Sequence, residues 1–85
     1  MNFRLSAHAR KELDRRQISL ALLEDVLSHP EQKVPGHEEI LCYQSRVTIG
    51  GKPYLLRVMV NETTEPLTVV TIYRTSKITK YWSTL

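Results

Sequence analysis

The fold of this chain is decided by residues 40–60, ILCYQSRVTIGGKPYLLRVMV. Apolar and polar side chains alternate through Ile40–Ile49 and again through Tyr54–Val60, which is the period of half-buried β-strands. Gly50-Gly51 between them is typical of a two-residue hairpin turn, while Lys52-Pro53 would lengthen the loop. These residues therefore predict a β-hairpin.

The hairpin is extended by a third β-type run, Leu67–Thr75, which follows a polar turn. Short turns between consecutive strands predict an antiparallel meander, and Lys33-Val34 is a candidate edge strand. Alternation places Val70 on the inward face together with the rest of the apolar set. The outward, half-polar face carries Gln44, Arg46, Arg57, Thr71 and Tyr73.

The N-terminal third has the period of helices instead. Ser6 is a candidate N-cap for a helix over Ala7–Arg16, and Ser19 is a candidate N-cap for a second helix. The second helix should end near Ser28-His29, because Pro30 disfavours helix in the preceding residue. The fold class is thus predicted as α+β, a single domain over residues 1–85 with two N-terminal helices packed on an antiparallel meander.

Composition narrows the class of protein. The net charge is +3, there is one cysteine, and no apolar run reaches the roughly 20 residues of a membrane helix. We therefore expect a cytoplasmic protein without membrane association or an internal disulfide. Basic residues cluster at both ends, with five against two acids through Arg16, and three against none from Thr71 onward. If folding joins the ends, this pattern suits an anionic ligand; otherwise these residues only solvate the surface.

The candidate catalytic residues are His8, Arg16, Arg57 and Tyr73. His8 falls in the first turn of the first helix, where the helix dipole favours a neutral ring or a bound anion. Arg16 follows eight residues later, on roughly the same helix face. An outward arginine on a central strand, such as Arg57, is either functional or paired with a glutamate. The sequence contains no metal-site or cofactor motif, and we predict neither a metal nor a cofactor.

A second group of residues is suited to RNA. Aromatic side chains stack on bases and interleaved cations bind phosphates. The alternative for Tyr81-Trp82 is a terminal anchor on the core. The candidate RNA-binding residues are Arg10, Arg46, Arg74, Lys77, Lys80 and Tyr81.

These motifs resemble a known family. Its pattern is carried here by Phe3-x-x-Ser6-x-His8-Ala9-Arg10, Arg16-x-Ile18-Ser19, Arg57-Val58, and Thr71–Thr75 with a trailing Lys80-Tyr81-Trp82. In this order and spacing the chain resembles the domain of unknown function 4258 family, whose small fold is similar to that of RelE/ParE toxins. The chain departs from that family at Glu12-Leu13, where an arginine and a methionine are frequent.

The resemblance implies a toxin-like RNA endonuclease of a toxin–antitoxin pair. In the implied reaction the ribose 2′-hydroxyl of the RNA attacks the adjacent phosphorus without a metal ion. His8 would act as base or acid, Arg57 and Arg16 would stabilise the charge of the phosphorane, and Tyr73 would orient the RNA or stack on it. The expected partners are RNA or the ribosome and a cognate antitoxin protein. ParE-like members bind gyrase instead, so a non-catalytic protein-binding module is the alternative.

Overall fold

A computed structural model describes residues 1–84, and over these the fold is α+β with one mixed five-stranded sheet and three helices. The elements in chain order are β1 (Arg4–Leu5), α1 (Ala7–Arg15), α2 (Leu20–Ser28), β2 (Gln32–Pro35), β3 (Ile40–Ile49), β4 (Lys52–Asn61), β5 (Thr68–Thr75) and α3 (Ile78–Tyr81). The strand order is β1-β5-β4-β3-β2, so β4 is the central strand.

The strands β3 and β4 are joined by the two-residue turn Gly50-Gly51, and Lys52-Pro53 does not lengthen the loop. Gly50 and Gly51 both have positive φ, at 58° and 77°. A two-residue turn of this kind needs positive φ at both positions, which glycine adopts without steric cost. Lys52 therefore pairs directly with Ile49, and β4 begins two residues before the predicted Tyr54.

The sheet is mixed, so the prediction of a pure antiparallel meander was wrong. Strands β2 to β5 pair antiparallel, but β1 pairs parallel with β5 through Arg4 and Leu5. A strand of two residues carries no periodicity, and its pairing depends on contacts distant in sequence. Ser6 follows β1 and links α1 to β5. Its hydroxyl accepts from Ala9 N at 2.9 Å and donates to Val70 O at 2.7 Å.

A register shift between Met59 and Val60 corrects the predicted faces of β5. Val60 pairs with Val69, and Met59 pairs with Thr71, so Val70 is an extra residue between the two pairs. Such a bulge reverses the side-chain parity beyond it. Val69 is therefore buried in the core, and Val70 lines a groove with Met59 and Thr71.

The hydrophobic core joins residues of α1 and α2 with residues of the sheet. Its buried members are Ala9, Leu13, Ile18, Leu23, Val26, Leu27, Tyr43, Leu56, Val58, Val60, Val69 and Ile72. On the strands these residues alternate with the polar residues of the opposite face, as the period of two requires. No helix within residues 1–84 has the length and apolar character needed to cross a membrane.

Candidate functional site

Three polar side chains lie side by side on the outward face of the sheet, opposite the face that packs on the hydrophobic core. Arg57 on β4 is the cross-strand partner of Gln44 on β3 and of Tyr73 on β5. Directly opposed residues on neighbouring strands have side chains within contact distance. The register of the sheet thus assembles a glutamine, an arginine and a tyrosine in one row.

Arg57 is held in this row by neutral groups. Its Nε donates to Gln44 Oε1 at 2.9 Å, and its Nη1 donates to Tyr73 Oη at 2.5 Å. The guanidinium carbon lies 4.4 Å from the centre of the Tyr81 ring, which adds a cation–π contact. Among residues 1–84 no carboxylate pairs with Arg57. Its half-buried charge is therefore oriented but not neutralised, and the alternative considered for Arg57, a salt bridge to a glutamate, is absent from this part of the chain.

Gln44 is the residue that organises this site, and it is completely buried. Its amide nitrogen donates to Gln32 Oε1 at 2.7 Å and to the Tyr81 carbonyl at 3.1 Å. Gln32 in turn donates to the Ser83 carbonyl at 2.6 Å and accepts from Ser83 N at 3.1 Å. Two glutamines therefore fasten residues 78–84, the C-terminal segment, onto the outward face of the sheet. We call Arg57, Gln44, Tyr73 and Tyr81 the Arg57 site.

Arg46 lies on the same strand as Gln44 but has a different electrostatic state. Its guanidinium donates to both carboxylate oxygens of Glu31, at 3.1 and 2.8 Å, and its carbon lies 4.4 Å from the Trp82 ring. The hydrogen bonds from Arg46 lower the pKa of Glu31 to about 2. A bidentate pair of this kind satisfies the charge of the arginine, so Arg46 is less available to a phosphate than Arg57.

His8 and Arg16 meet at a different place, around Glu12. Arg15 binds both oxygens of Glu12 at 2.7 and 2.9 Å. Arg16 Nη2 lies 3.6 Å and His8 Nε2 lies 3.9 Å from Glu12 Oε1. The hydrogen bond from Arg15 is the main cause that lowers the pKa of Glu12 to about 2. We call these four residues the Glu12 cluster.

The four predicted catalytic residues therefore form two pairs. Arg57 and Tyr73 are hydrogen-bonded to each other, and His8 and Arg16 share Glu12. Helix α1 packs on the core face of the sheet through Ala9. Arg57 and Tyr73 alternate along their strands with the core residues, so they lie on the opposite face. Within residues 1–84 no hydrogen bond, ion pair or cation–π contact joins the two pairs.

The remaining predicted RNA-binding residues are spread over the surface. Arg74 lies 4.8 Å from the ring of the first tyrosine of β4, and Lys80 Nζ lies 5.3 Å from the Tyr81 ring. Lys77 precedes α3 as its N-cap residue, and Arg10 lines a groove of about 370 Å³ near β1. Of this group, Tyr81 is the one that contacts Arg57.

A groove of about 460 Å³ adjoins the Arg57 site. Its lining is Ile40, Arg57, Met59, Val70 and Thr71 from the sheet, and Gly36, His37 and Glu38 from the β2–β3 loop. A larger groove of about 570 Å³ near the β4–β5 turn includes Glu62 and Glu65 and no cationic side chain. The groove beside Arg57 is therefore the better suited of the two to an anionic ligand.

The three histidines each have one carboxylate nearby. His8 lies near Glu12, and the other two lie near Asp25 and Glu38 of their own segments. No three His, Cys, Asp or Glu side chains in the described part of the chain are grouped so that they could hold a metal ion.

Sequence reasoning placed Gln44 on the polar face but did not include it in the site. Its signal was an amide within the otherwise apolar stretch around Cys42 and Tyr43. A buried amide is costly without hydrogen-bond partners, so such a position indicates a polar network. The partners themselves, Gln32 and Tyr81, cannot be read from local sequence.

Comparison with known proteins gives one result. The family model described as a domain of unknown function (DUF4258) matches residues 5–74, which is more than half of the chain. No curated protein and no solved structure gives a significant match. The matched residues include Gln44, Arg57 and Tyr73 and end before the C-terminal segment. The resemblance to this family is confirmed, and the chain belongs to the DUF4258 family.

Proposed function

We propose that the protein binds single-stranded RNA at the Arg57 site and cleaves it there as a cytoplasmic endoribonuclease. The observation that carries this proposal is the guanidinium of Arg57, half-buried and hydrogen-bonded to Gln44 and Tyr73, without a carboxylate partner among residues 1–84. Arginine has five N–H donors, and these two bonds leave donors for a phosphate. A charge that is fixed and partly removed from water attracts an anion more strongly than a solvated one.

The chemistry follows from these groups. The 2′-oxygen forms a bond to phosphorus while the bond from phosphorus to the 5′-oxygen breaks, giving a cyclic phosphate and a free 5′-hydroxyl. Arg57 stabilises the negative charge of the phosphorane. Because Tyr73 Oη accepts its hydrogen bond from Arg57, its own proton is available to a phosphate oxygen or to the departing 5′-oxygen. These residues serve the reaction without a metal ion.

The proton acceptor for the 2′-hydroxyl is not among the groups that contact Arg57. His8, expected from the sequence to act as base or acid, belongs to the Glu12 cluster. The proposal therefore predicts slow cleavage by the isolated protein and faster cleavage on the ribosome, where another group accepts the proton. The family resemblance implies a RelE/ParE-like toxin, and in that case a cognate antitoxin would be the natural inhibitor.

The test compares Arg57→Ala with Lys52→Ala, a control on the same strand with the same change of charge. Anisotropy of a labelled single-stranded RNA should show a 10- to 100-fold loss of affinity for Arg57→Ala, since charge-assisted hydrogen bonds contribute about 1.5–3 kcal/mol. The slope of log affinity against log salt should also fall by about 0.7, the value for one phosphate of a single strand. Lys52→Ala should retain most of the affinity.

Cleavage is measured on the same RNA with and without ribosomes. Arg57→Lys keeps the charge but loses the planar fork, so it should bind weakly and cleave little. If the wild-type protein neither binds nor cleaves RNA in either condition, the nuclease proposal is wrong. A non-catalytic module that binds a protein target would then replace it.

A further inference from the structure

The groove beside Arg57 offers a ligand two kinds of contact. Ile40, Met59 and Val70 give it an apolar lining, and Glu38 adds a carboxylate. A nucleotide has the same division, because its ribose joins a charged phosphate to a base whose faces are apolar and whose edge carries hydrogen-bond groups. The charge of Arg57 complements the phosphate, and the charge of Glu38 complements donors on the edge of the base.

The β2–β3 loop that carries Glu38 is held in one shape. Gly36 N donates to Ile40 O at 2.9 Å, and Ile40 N donates to His37 O at 3.1 Å. A Cβ at Gly36 would lie 2.6 Å from Ile40 O, so the turn accepts only glycine there without a shift of the backbone. Glu38 has a φ of 58°, which places it at the turn of this loop. The backbone therefore places Glu38 at the rim of the groove, where its carboxylate is exposed and lies 3.7 Å from His37 Nε2.

We infer that this groove is a base-binding subsite that selects guanine next to the phosphate bound by Arg57. Guanine presents two adjacent donors, N1–H and the N2 amino group, in the direction of one carboxylate. Uracil presents a single N3–H between two carbonyl oxygens, which a carboxylate repels. This inference rests on the proposed RNA binding and adds to it a substrate class, RNA with guanosine at the site.

The experiment measures the binding of two labelled nonanucleotides, one of nine uridines and one with a single central guanosine. The wild-type protein should bind the guanosine RNA at least tenfold more tightly. Glu38→Gln should reduce this preference to less than threefold, because the affinity for the guanosine RNA falls and the repulsion of uracil is relieved. Glu39→Gln is the matched control, because it makes the same change at a neighbouring exposed residue that does not line the groove; it should keep the preference. Glu38→Gly removes the side chain at a positive φ, where glycine is favoured, so its result does not depend on tolerance of the backbone.

The other outcomes distinguish a failure of the guanine subsite from a failure of the proposed RNA binding. If the two RNAs bind equally and both depend on Arg57, the base subsite is wrong and RNA binding stands. If a preference exists but survives in Glu38→Gln and Glu38→Gly, guanine is recognised elsewhere and the subsite is again wrong. If the wild-type protein binds neither RNA, the proposed function fails and the subsite fails with it, which leaves the groove to a protein ligand.

Discussion

Replacing Gln44 by leucine tests whether the buried amide holds the Arg57 site together. Leucine has a similar size and can occupy the buried position, but it has no hydrogen-bonding group. The substitution removes the acceptor of Arg57 Nε and the donor to the Tyr81 carbonyl. Gln32 Oε1 keeps one partner, because Ser83 N still donates to it.

The magnitude follows from the groups left without partners. A buried donor or acceptor that loses its hydrogen bond costs about 1–3 kcal/mol, and the substitution leaves two partly buried groups without this partner, Arg57 Nε and the Tyr81 carbonyl. The apolar side chain recovers part of this cost, because it no longer requires burial of an amide. We expect the free energy of unfolding to fall by about 2–4 kcal/mol. In a domain of this size the melting temperature falls about 4–8 °C for each kcal/mol, so the expected decrease is at least about 8 °C.

Two measurements follow this variant, and they separate stability from binding. Urea denaturation gives the free energy of unfolding, and RNA anisotropy at a temperature where the variant is folded gives the affinity. Thr48→Val is the control, because Thr48 is exposed on the same face of β3 and such surface substitutions usually change stability by no more than about 0.5 kcal/mol. A Gln44→Leu protein with the melting temperature and RNA affinity of the wild type would refute the idea that Gln44 orients Arg57.

Two further predictions concern α1 and the β2–β3 loop. Because the pKa of Glu12 is lowered to about 2 from its ordinary 4.5, its contribution to stability is present above about pH 4.5 and is lost as the pH falls toward 2. Glu12→Gln should therefore be less stable at pH 7 and lose less stability between pH 5 and 2, as followed by thermal melts; parallel pH profiles would contradict the role of Arg15 and its neighbours. Gly36→Ala should destabilise the fold, because its Cβ would meet Ile40 O at 2.6 Å, and it should do so more than Gly50→Ala, which has open space and only an unfavourable φ. Equal melting temperatures for the two alanine variants would show that the loop gives way without cost.

The strands were predictable because their signals are local. Ile40–Ile49 has the predicted bounds, since alternation and a glycine turn specify a hairpin within about 20 residues of sequence. The caps at Ser6 and Ser19 are also local, and both hydroxyls accept the expected backbone hydrogen bonds. Lys33-Val34 lies within β2.

The errors arose where distant residues decide the structure. Strand β1 is defined only by its parallel pairing with β5, which is distant in sequence. Helix α3 has four residues, which is too short to show an apolar stripe. The inward parity assigned to Val70 was overturned by a bulge that no residue between Leu67 and Thr75 announces. A shift of one residue exchanges the two faces of a strand, so one unrecognised bulge misplaces Val69 as well.

The candidate site divides in the same way. Arg57 and Tyr73 were placed together because strand parity is a local property. The sequence did not show that Gln44 belongs to this site. Its hydrogen-bond partners are 12 residues away at Gln32 and 37 residues away at Tyr81. The meeting of His8 with Arg57 is likewise a tertiary question, and the structure instead gives His8 a neighbour on its own helix, Glu12.

The clearest example is the contrast between Arg46 and Arg57. In sequence both are outward arginines on neighbouring strands, and parity treats them alike. In the structure Arg46 is bound by Glu31, so a phosphate would have to displace a carboxylate at 2.8 Å. Arg57 is bound by an amide oxygen and a phenol, which orient the guanidinium without cancelling its charge. A phosphate that binds on this face therefore meets no competing carboxylate at Arg57 but must break an ion pair at Arg46, and this difference in cost is why we propose the ligand at Arg57.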